Sequence, residues 1–599
     1  MQVVILAAGM GKRLKNKTKD HTKSMVKILG KTFLEHSLDK LTKFNISRII
    51  IVTGYCGAEI KNTIGSSYNN VPVIYVENKD YSITNNIYSL YLTKDYLSKE
   101  DTLLLESDLI YDGNIIKKCL ESNFPNIAVV DKYQPYMDGT VVTVNEHDEI
   151  VSLIPKDHFN YKDKDSYYKT VNIYKFSKEF LKNEYLPFLE AYCRTMGKSG
   201  FYEQVLKVIL SLERNSLKVL KLSGEKWYEV DDLQDYDIAE LLFNEDKNEH
   251  LQNYYSRYGG YWRFPKILDF CYLVNPYFPT KRMLVELQDN FTQLLTNYPS
   301  GKSILDILIT DIWNINSKFF LLGNGAAELI NAVSYEINEK VGVILPTFQE
   351  YPARIENKEY FIPKNKDFSY DIEDLKQFSN KIDTLILINP DNPSGNFLPK
   401  RQLLDLLDFY KENGKKIILD ESFVDFSTET IQNSLLNNEI LQRYPNLIII
   451  KSISKSYGVP GLRLGILASS NTDFINNVSK HLPIWNINSF AEYFLQMFNK
   501  HSEGYFHSCS LIAKDRDILF NNLSNIPFLR PIPSQANFIL CEVLKPFNST
   551  NLCSELLNKG FLIKDCKNKM GFDGKPYIRI AVKSSEDNQK LIEALQNLE

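Results

Sequence analysis

Two groups of residues in this 599-residue chain have the types and spacing to do chemistry. The first begins at the N-terminus. An apolar run over residues 3–6 breaks into Ala7-Ala8-Gly9-Met10-Gly11, and two cations, Lys12 and Arg13, follow. A strand ending in small residues lets a phosphate approach backbone N–H groups, and a helix after it adds its positive end. Lys23, in HTKSMV, supplies another cation. Asp108 closes the apolar run LLLESD and Asp231 closes WYEVDD. Carboxylates at the carboxyl ends of strands overlook the crevice where α/β sheets bind ligands. Two of them can hold a Mg2+ that bridges phosphate oxygens. Gly-x-Gly alone reads equally well as a plain turn, and the third glycine of the dinucleotide fingerprint is missing. The weight therefore rests on the combination.

The second group lies in LINPDNPSG, KIILDESF and KSISKSYGVPGLRLG, in that order. Lys455 sits among small hydroxyl residues with Arg463 eight positions later. That spacing suits an aldehyde cofactor with a phosphate tail, because a lysine amine forms a Schiff base with such an aldehyde. Asp420, ending KIILD, would keep a pyridinium nitrogen protonated and make the ring an electron sink. Any one of these residues alone is a surface lysine or a strand-end aspartate. Three ordered motifs leave that reading little room.

The elements that must hold these residues alternate strand with helix. VVILAA, RIIIVTG, PVIYVE and TLLLESD read as strands, with helices near 33–44 and 86–96, which predicts a mostly parallel, doubly wound sheet. After WYEVDDLQDYDIAELLF the pattern changes. NEDKNEHLQNYYSRYGGYWRFP is polar and aromatic with Gly-Gly and Pro, and reads as a junction. The expected domains are 1–245 and 266–599, with 246–265 as linker. KVGVILP, TLILINP, KKIILDE and NLIIIKS restart the alternation, and shorter strands from about 515 to 599 (NFILCEV, YIRIAV) suggest a small α+β subdomain.

Composition narrows the class. The chain is 44% hydrophobic with a net charge of -4, which gives no general reason for nucleic acid or an anionic membrane as partner. Eight scattered cysteines without a C-x-x-C pair argue against a structural zinc site and fit reduced thiols in a cytoplasm. The first strand starts at residue 2, which leaves no room for a signal peptide, and no stretch approaches 18 apolar residues. A cytoplasmic protein is expected.

Over residues 1–243 the chain resembles the nucleotidyltransferases that make nucleotide-sugars and CDP-alcohols, above all the bacterial phosphocholine cytidylyltransferases. ENKDYSITNNIYSLYL (77–92) is similar to their substrate-binding segment and YEVDDLQDY (228–236) to their C-terminal metal motif. The resemblance implies a Rossmann-like domain. CTP would lie on Leu6, Ala7, Ala8, Gly9 and Gly11, with Arg13 and Lys23 on the phosphates and Asp108 and Asp231 carrying Mg2+. An acceptor oxygen would attack the α-phosphorus of CTP and pyrophosphate would leave, with Mg2+ and the cations stabilising the growing charge. Tyr88, Tyr202 and Glu203 are candidates for the acceptor's amino end. Thr22 stands where the family has proline, a change that would move Lys23.

From Asn275 to the end the chain resembles the fold-type-I pyridoxal-phosphate aminotransferases, in the branch of histidinol-phosphate aminotransferase and threonine-phosphate decarboxylase. This implies pyridoxal 5'-phosphate on Lys455, with Asn392 on its phenolic oxygen, Phe348 stacked on its ring and Asp420 at its nitrogen. Ala326, Ala327, Ser452, Ser454 and Arg463 would bind the phosphate, and Arg579 would grip a substrate carboxylate as a fork. Tyr298 matches a tyrosine that reaches a neighbouring subunit, so a homodimer is implied. The family's Asp-Glu-Ala-Tyr is DESF here. Phe423 cannot donate a hydrogen bond, which leaves the phenolic oxygen to Asn392.

A compound both transaminated and cytidylylated carries an amine and a phosphorus oxyanion. The simplest is 2-aminoethylphosphonate, made by aminating phosphonoacetaldehyde with an amino-acid donor. As a whole the chain resembles the fused 2-aminoethylphosphonate cytidylyltransferase–aminotransferases of phosphonate biosynthesis. The alternative is a phosphocholine or phosphoethanolamine cytidylyltransferase fused to an amino-acid-phosphate aminotransferase or decarboxylase, which PIWNINSFAEYF also fits.

Overall fold

In the computed structural model residues 1–212, 217–428 and 433–598 are described. The chain forms two compact units, Met1–Tyr258 and Gly259–Glu599. Helix Lys247–Ser256, in the stretch read as a junction, is part of the first unit.

The first unit is built on a ten-stranded sheet. Its centre is parallel, in the order Thr102–Glu106, Gln2–Ala7, Ile49–Thr53 and Val71–Glu77. These strands are nearly continuous Val, Ile and Leu because both faces are covered. Val4, Leu6, Ile50, Val52 and Leu104 join one core, while Val3, Ile5, Ile49, Ile51, Leu103 and Leu105 join the other. The doubly wound α/β expectation holds, with an antiparallel extension: Tyr168–Phe176 pairs against Thr102–Glu106.

One local expectation fails. No α-helix follows the glycine loop. Lys12–Thr18 is a 3-10 segment broken at Lys15, whose φ is 50°. Four cations, an asparagine, a threonine and a single leucine offer too narrow an apolar face to dock a helix, so packing does not select one. A phosphate on this loop would meet backbone N–H groups and side-chain cations, without a helix dipole.

The second unit holds a seven-stranded sheet running Phe320–Asn324, Leu464–Ala468, Leu447–Ser452, Lys416–Asp420, Thr384–Ile388, Val341–Ile344 and Lys358–Phe361. Only Leu464–Ala468 runs antiparallel to its neighbours. A four-stranded antiparallel sheet follows, made of Leu529–Pro531, Phe538–Val543, Tyr577–Ala581 and Lys564–Asp565. The long helix Ser502–Ser524 precedes it, so residue 515 lies inside a helix. This is the large α/β plus small α+β arrangement expected.

Candidate active sites

The strand Gln2–Ala7 delivers the loop to the carboxyl edge of the first sheet, with Leu6 paired to Val52 on one side and Glu106 on the other. Gly11 has φ +60°, and a Cβ there would lie 2.8 Å from the Cβ of Lys23, so loop and lysine need a glycine to meet. Thr22 has φ -73°, the value a proline would impose, and its hydroxyl donates to the Gly9 carbonyl at 3.1 Å. The change from proline therefore keeps the backbone and adds a tie to the loop. The expected displacement of Lys23 has no backbone cause.

Lys23 Nζ lies 2.5 Å from Asp108 Oδ2 and 2.8 Å from Asp231 Oδ1, and Arg13 Nη2 is 2.8 Å from Asp231. The two aspartates come together because Trp227–Glu229 pairs antiparallel with Leu109–Tyr111, and Val230 N–H donates to the Asp108 carbonyl. Burial opposes the charge on Lys23, but Asp108 and Asp231 outweigh it and hold the amine above its ordinary value. Burial likewise pushes Asp231 up, and Lys23 and Arg13 bring it below the ordinary carboxylate range. Two carboxylates that meet on one lysine amine are the donor type that would hold a divalent ion there. Among the described residues no group of three or more His, Cys, Asp or Glu is placed for a metal. Nucleotide phosphates would have to supply further ligands, as is usual for Mg2+.

A cavity of about 540 Å³ opens over this edge. Leu6, Ala8, Gly9, Arg13 and Lys23 line one part, and Asn78, Thr84, Asn85 and Asn86 of the segment 77–92 line another. Glu203 also lines it and is buried, and burial pushes its carboxyl up to about 7. The two tyrosines proposed with it stand outside. Tyr202 is fully buried, edge-on to Tyr174, and Tyr88 lies under the Lys198 ammonium, 4.1 Å from its ring centre.

In the second unit, strand Leu447–Ser452 runs into the short helix Ile453–Ser456 that carries Lys455. The residue is half-buried, with its amine 4.4 Å from the ring centre of Phe423 and 5.2 Å from that of Phe348. Burial lowers it to about 8; Asp420 opposes that shift, while Arg579 and Arg463 add to it. A lysine tuned this way has a share of neutral amine near pH 7, which a nucleophile and proton carrier needs.

Asp420 ends the central strand Lys416–Asp420 and is buried. Its Oδ1 accepts the Ser422 N–H at 2.9 Å and its Oδ2 accepts the Tyr351 hydroxyl at 2.8 Å. Arg579 donates through Nη1 to Asn392 Oδ1 at 2.7 Å and through Nη2 to the Cys271 carbonyl, while its buried Nε has no partner. Helix Ala326–Ser334 starts behind Gly325 at φ +79°, leaving the N–H groups of Ala326 and Ala327 free of an intrahelical partner. A Cβ on Gly325 would lie 2.5 Å from Arg463 Nη2. Guanidinium and helix start thus form a cradle suited to a phosphate, and the residues fit pyridoxal phosphate on that account. Ser454 lies beside the cradle, its Oγ accepting the Leu464 N–H, and Ser452 is the last residue of its strand. Tyr298 is 81% exposed, its ring 4.7 Å from that of Trp485.

Two partners, Tyr351 and Asp425, had no signal in the sequence, and a third, Asn86, was marked only as part of the segment 77–92. Tyr351 holds Asp420. Asp425 pairs with the buried Lys451 at 2.7 Å and accepts from Ser456 and Tyr505, fixing the helix of Lys455 from beneath. Asn86 links Glu106 to the start of the Glu203 helix. Tyr351→Phe should weaken cofactor binding by roughly ten- to a hundredfold, since a hydrogen bond to a charged group is worth about 1.5–3 kcal/mol. Absorbance titration of the apoprotein with pyridoxal phosphate measures it, and unchanged affinity would remove Tyr351 from the site.

A tuned lysine between a phosphate cradle and an arginine fork is what an aminotransferase-type pyridoxal-phosphate enzyme requires. Paired carboxylates, cations and a glycine loop over a nucleotide-sized cavity are what a nucleotidyl transferase requires. Residues 308–595 match the family model for aminotransferase class I and II, and residues 2–240 that for nucleotidyl transferase. An L-serine phosphate decarboxylase of Campylobacter jejuni is 32% identical, covering 55% of this chain and 87% of that protein. The chain belongs to the class I and II aminotransferases, with a nucleotidyl transferase unit ahead of the aminotransferase unit, and is an enzyme with both activities. It is also similar along its whole length to the CMP-5'-(3-aminopropyl)phosphonate synthase of Streptomyces rubellomurinus, at 29% identity over 100% of this chain and 95% of that one. Among solved structures, the histidinol-phosphate aminotransferase of Clostridium acetobutylicum matches with a TM-score of 0.51 at 27% identity, covering 55% of this chain and 99% of that chain. A decarboxylase from Sulfurospirillum multivorans matches at 0.52 and 28%, covering 56% and 90%. No helix among the described residues is long and apolar enough to cross a membrane.

Proposed function

We propose that this enzyme works in phosphonate biosynthesis. Its second unit aminates phosphonoacetaldehyde to 2-aminoethylphosphonate at the expense of an amino-acid donor. Its first unit transfers CMP from CTP to that phosphonate and releases pyrophosphate. The observation that carries this reading is one chain with both sites equipped, similar end to end to a protein named for a CMP-linked aminophosphonate.

When bound, pyridoxal phosphate would supply an aldehyde and an electron-withdrawing ring. Lys455 Nζ would hold it and carry the proton to and from the substrate's Cα. Asp420, kept in place by Tyr351, would hold the ring nitrogen protonated, and Arg463 with the Ala326 and Ala327 N–H groups would bind its phosphate. In the first unit Arg13 and Lys23 would bind the CTP phosphates while Asp108 and Asp231 hold Mg2+. We infer a homodimer in which the exposed Tyr298 serves the neighbouring subunit, and a cytoplasmic enzyme in keeping with its eight scattered cysteines.

The test is purified protein with CTP, Mg2+ and a panel of phospho- and phosphono-amines, following the mass of CMP adducts. 2-Aminoethylphosphonate should exceed phosphocholine in kcat/KM by about tenfold or more, roughly 1.4 kcal/mol. Equal use of phosphocholine would refute the shared intermediate. A second reading has its own support in the serine-phosphate decarboxylase relative: the second unit decarboxylates a phospho-amino acid, and the resulting phosphoethanolamine receives the CMP. Release of CO2 without consumption of an amino donor would select it.

A further inference from the structure

The carboxylates deep in the first cavity are not equally compensated. Asp108 and Asp231 share Lys23, Asp231 also takes Arg13, and Glu229 takes Lys169 at 3.2 Å. Among the described residues, neither Glu106 nor Glu203 is ion-paired; Lys169 acts on Glu203 only from farther off. Glu203 is 6% exposed, lines the cavity, and its buried Oε2 has no hydrogen-bond partner. Glu106 lines the same cavity at the end of its strand, beside Leu6. Asn86 ties the two: its Nδ2 donates to Glu106 Oε1 at 3.0 Å, and its Oδ1 accepts the Tyr202 N–H at 3.1 Å, one residue before Glu203.

We propose that Glu106 and Glu203 form a clamp for the primary ammonium of the acceptor, with Asn86 as the positioning residue that sets their spacing. This rests on reading the first unit as a cytidylyltransferase for an aminated acceptor. A primary ammonium has three donors and can satisfy the free Oε2 of Glu203 together with Glu106. A trimethylammonium has no donor and relies on aromatic faces. The aromatic side chains on the cavity wall are Tyr81 and Phe201, and Phe201 is half exposed.

The test compares 2-aminoethylphosphonate with ethylphosphonate, which lacks only the amine, on the full-length protein with CTP and Mg2+. The wild type should prefer the amine at least about tenfold in kcat/KM. Glu106→Gln and Glu203→Gln should each erase most of that preference by raising KM for the amine. KM for CTP and the use of ethylphosphonate should stay the same, which also shows that the variants fold. Asn86→Ala should give a smaller loss of the same kind. A preference that survives both glutamine variants, or a loss shared equally by both acceptors, overturns the clamp while leaving the cytidylyltransferase reading intact. A wild type that transfers CMP to no aminated acceptor overturns the reading instead. Equilibrium binding of the two phosphonates without CTP then decides the clamp alone, since wild-type binding with no amine preference refutes it.

Discussion

Lys455→Ala protein is expected to lose the chemistry of its second unit by a thousandfold or more, on the order seen when a covalent catalytic group is removed. Transfer of CMP should continue at the wild-type rate, because the two activities belong to separate compact units. The purified wild type should absorb visible light through its covalently held cofactor, and the variant should not. Borohydride reduction followed by peptide mass mapping locates the attachment. Labelling on any other lysine would sink the assignment.

The opposite selectivity is expected at the other end of the chain. Asp108→Asn keeps the size of the side chain but removes half of the carboxylate pair around Lys23. It should lower CMP transfer by roughly a hundred- to a thousandfold, the range for losing one charge-stabilising group in a preorganised site. The second unit should be unaffected. Chelation with EDTA should copy the pattern, since only the first site is expected to need a divalent ion. If EDTA stops both reactions equally, the division of labour between the units is wrong.

How far the sequence carries depends on whether a feature is local. The buried parallel strands are uninterrupted apolar runs such as QVVILA and TLLLE, so their fold class can be read directly. Lys455, Asp420 and Asn392 sit in compact motifs whose spacing survives as written. Residues whose meaning comes from distant partners are silent. Tyr351 meets Asp420 across 69 positions, and Tyr202 meets Asn86 across 116. No periodicity marks such a contact. The failed helix at Lys12–Thr18 shows the complementary point: a glycine loop predicts that the chain turns, but only an apolar face would hold a helix after it. Tyr202 also shows why residue type alone misleads. Its ring can be core or ligand platform, and full burial beside Tyr174 makes it core.

The close approach of Arg463 to Gly325 has an evolutionary consequence. A side chain at 325 would meet both a left-handed backbone and the guanidinium; shortening Arg463 would clear the second obstacle and leave the first. Substitutions at the two positions are therefore non-additive, and their order matters. A lineage that gives up the arginine still meets the backbone strain when it fills position 325, so the glycine outlasts the arginine.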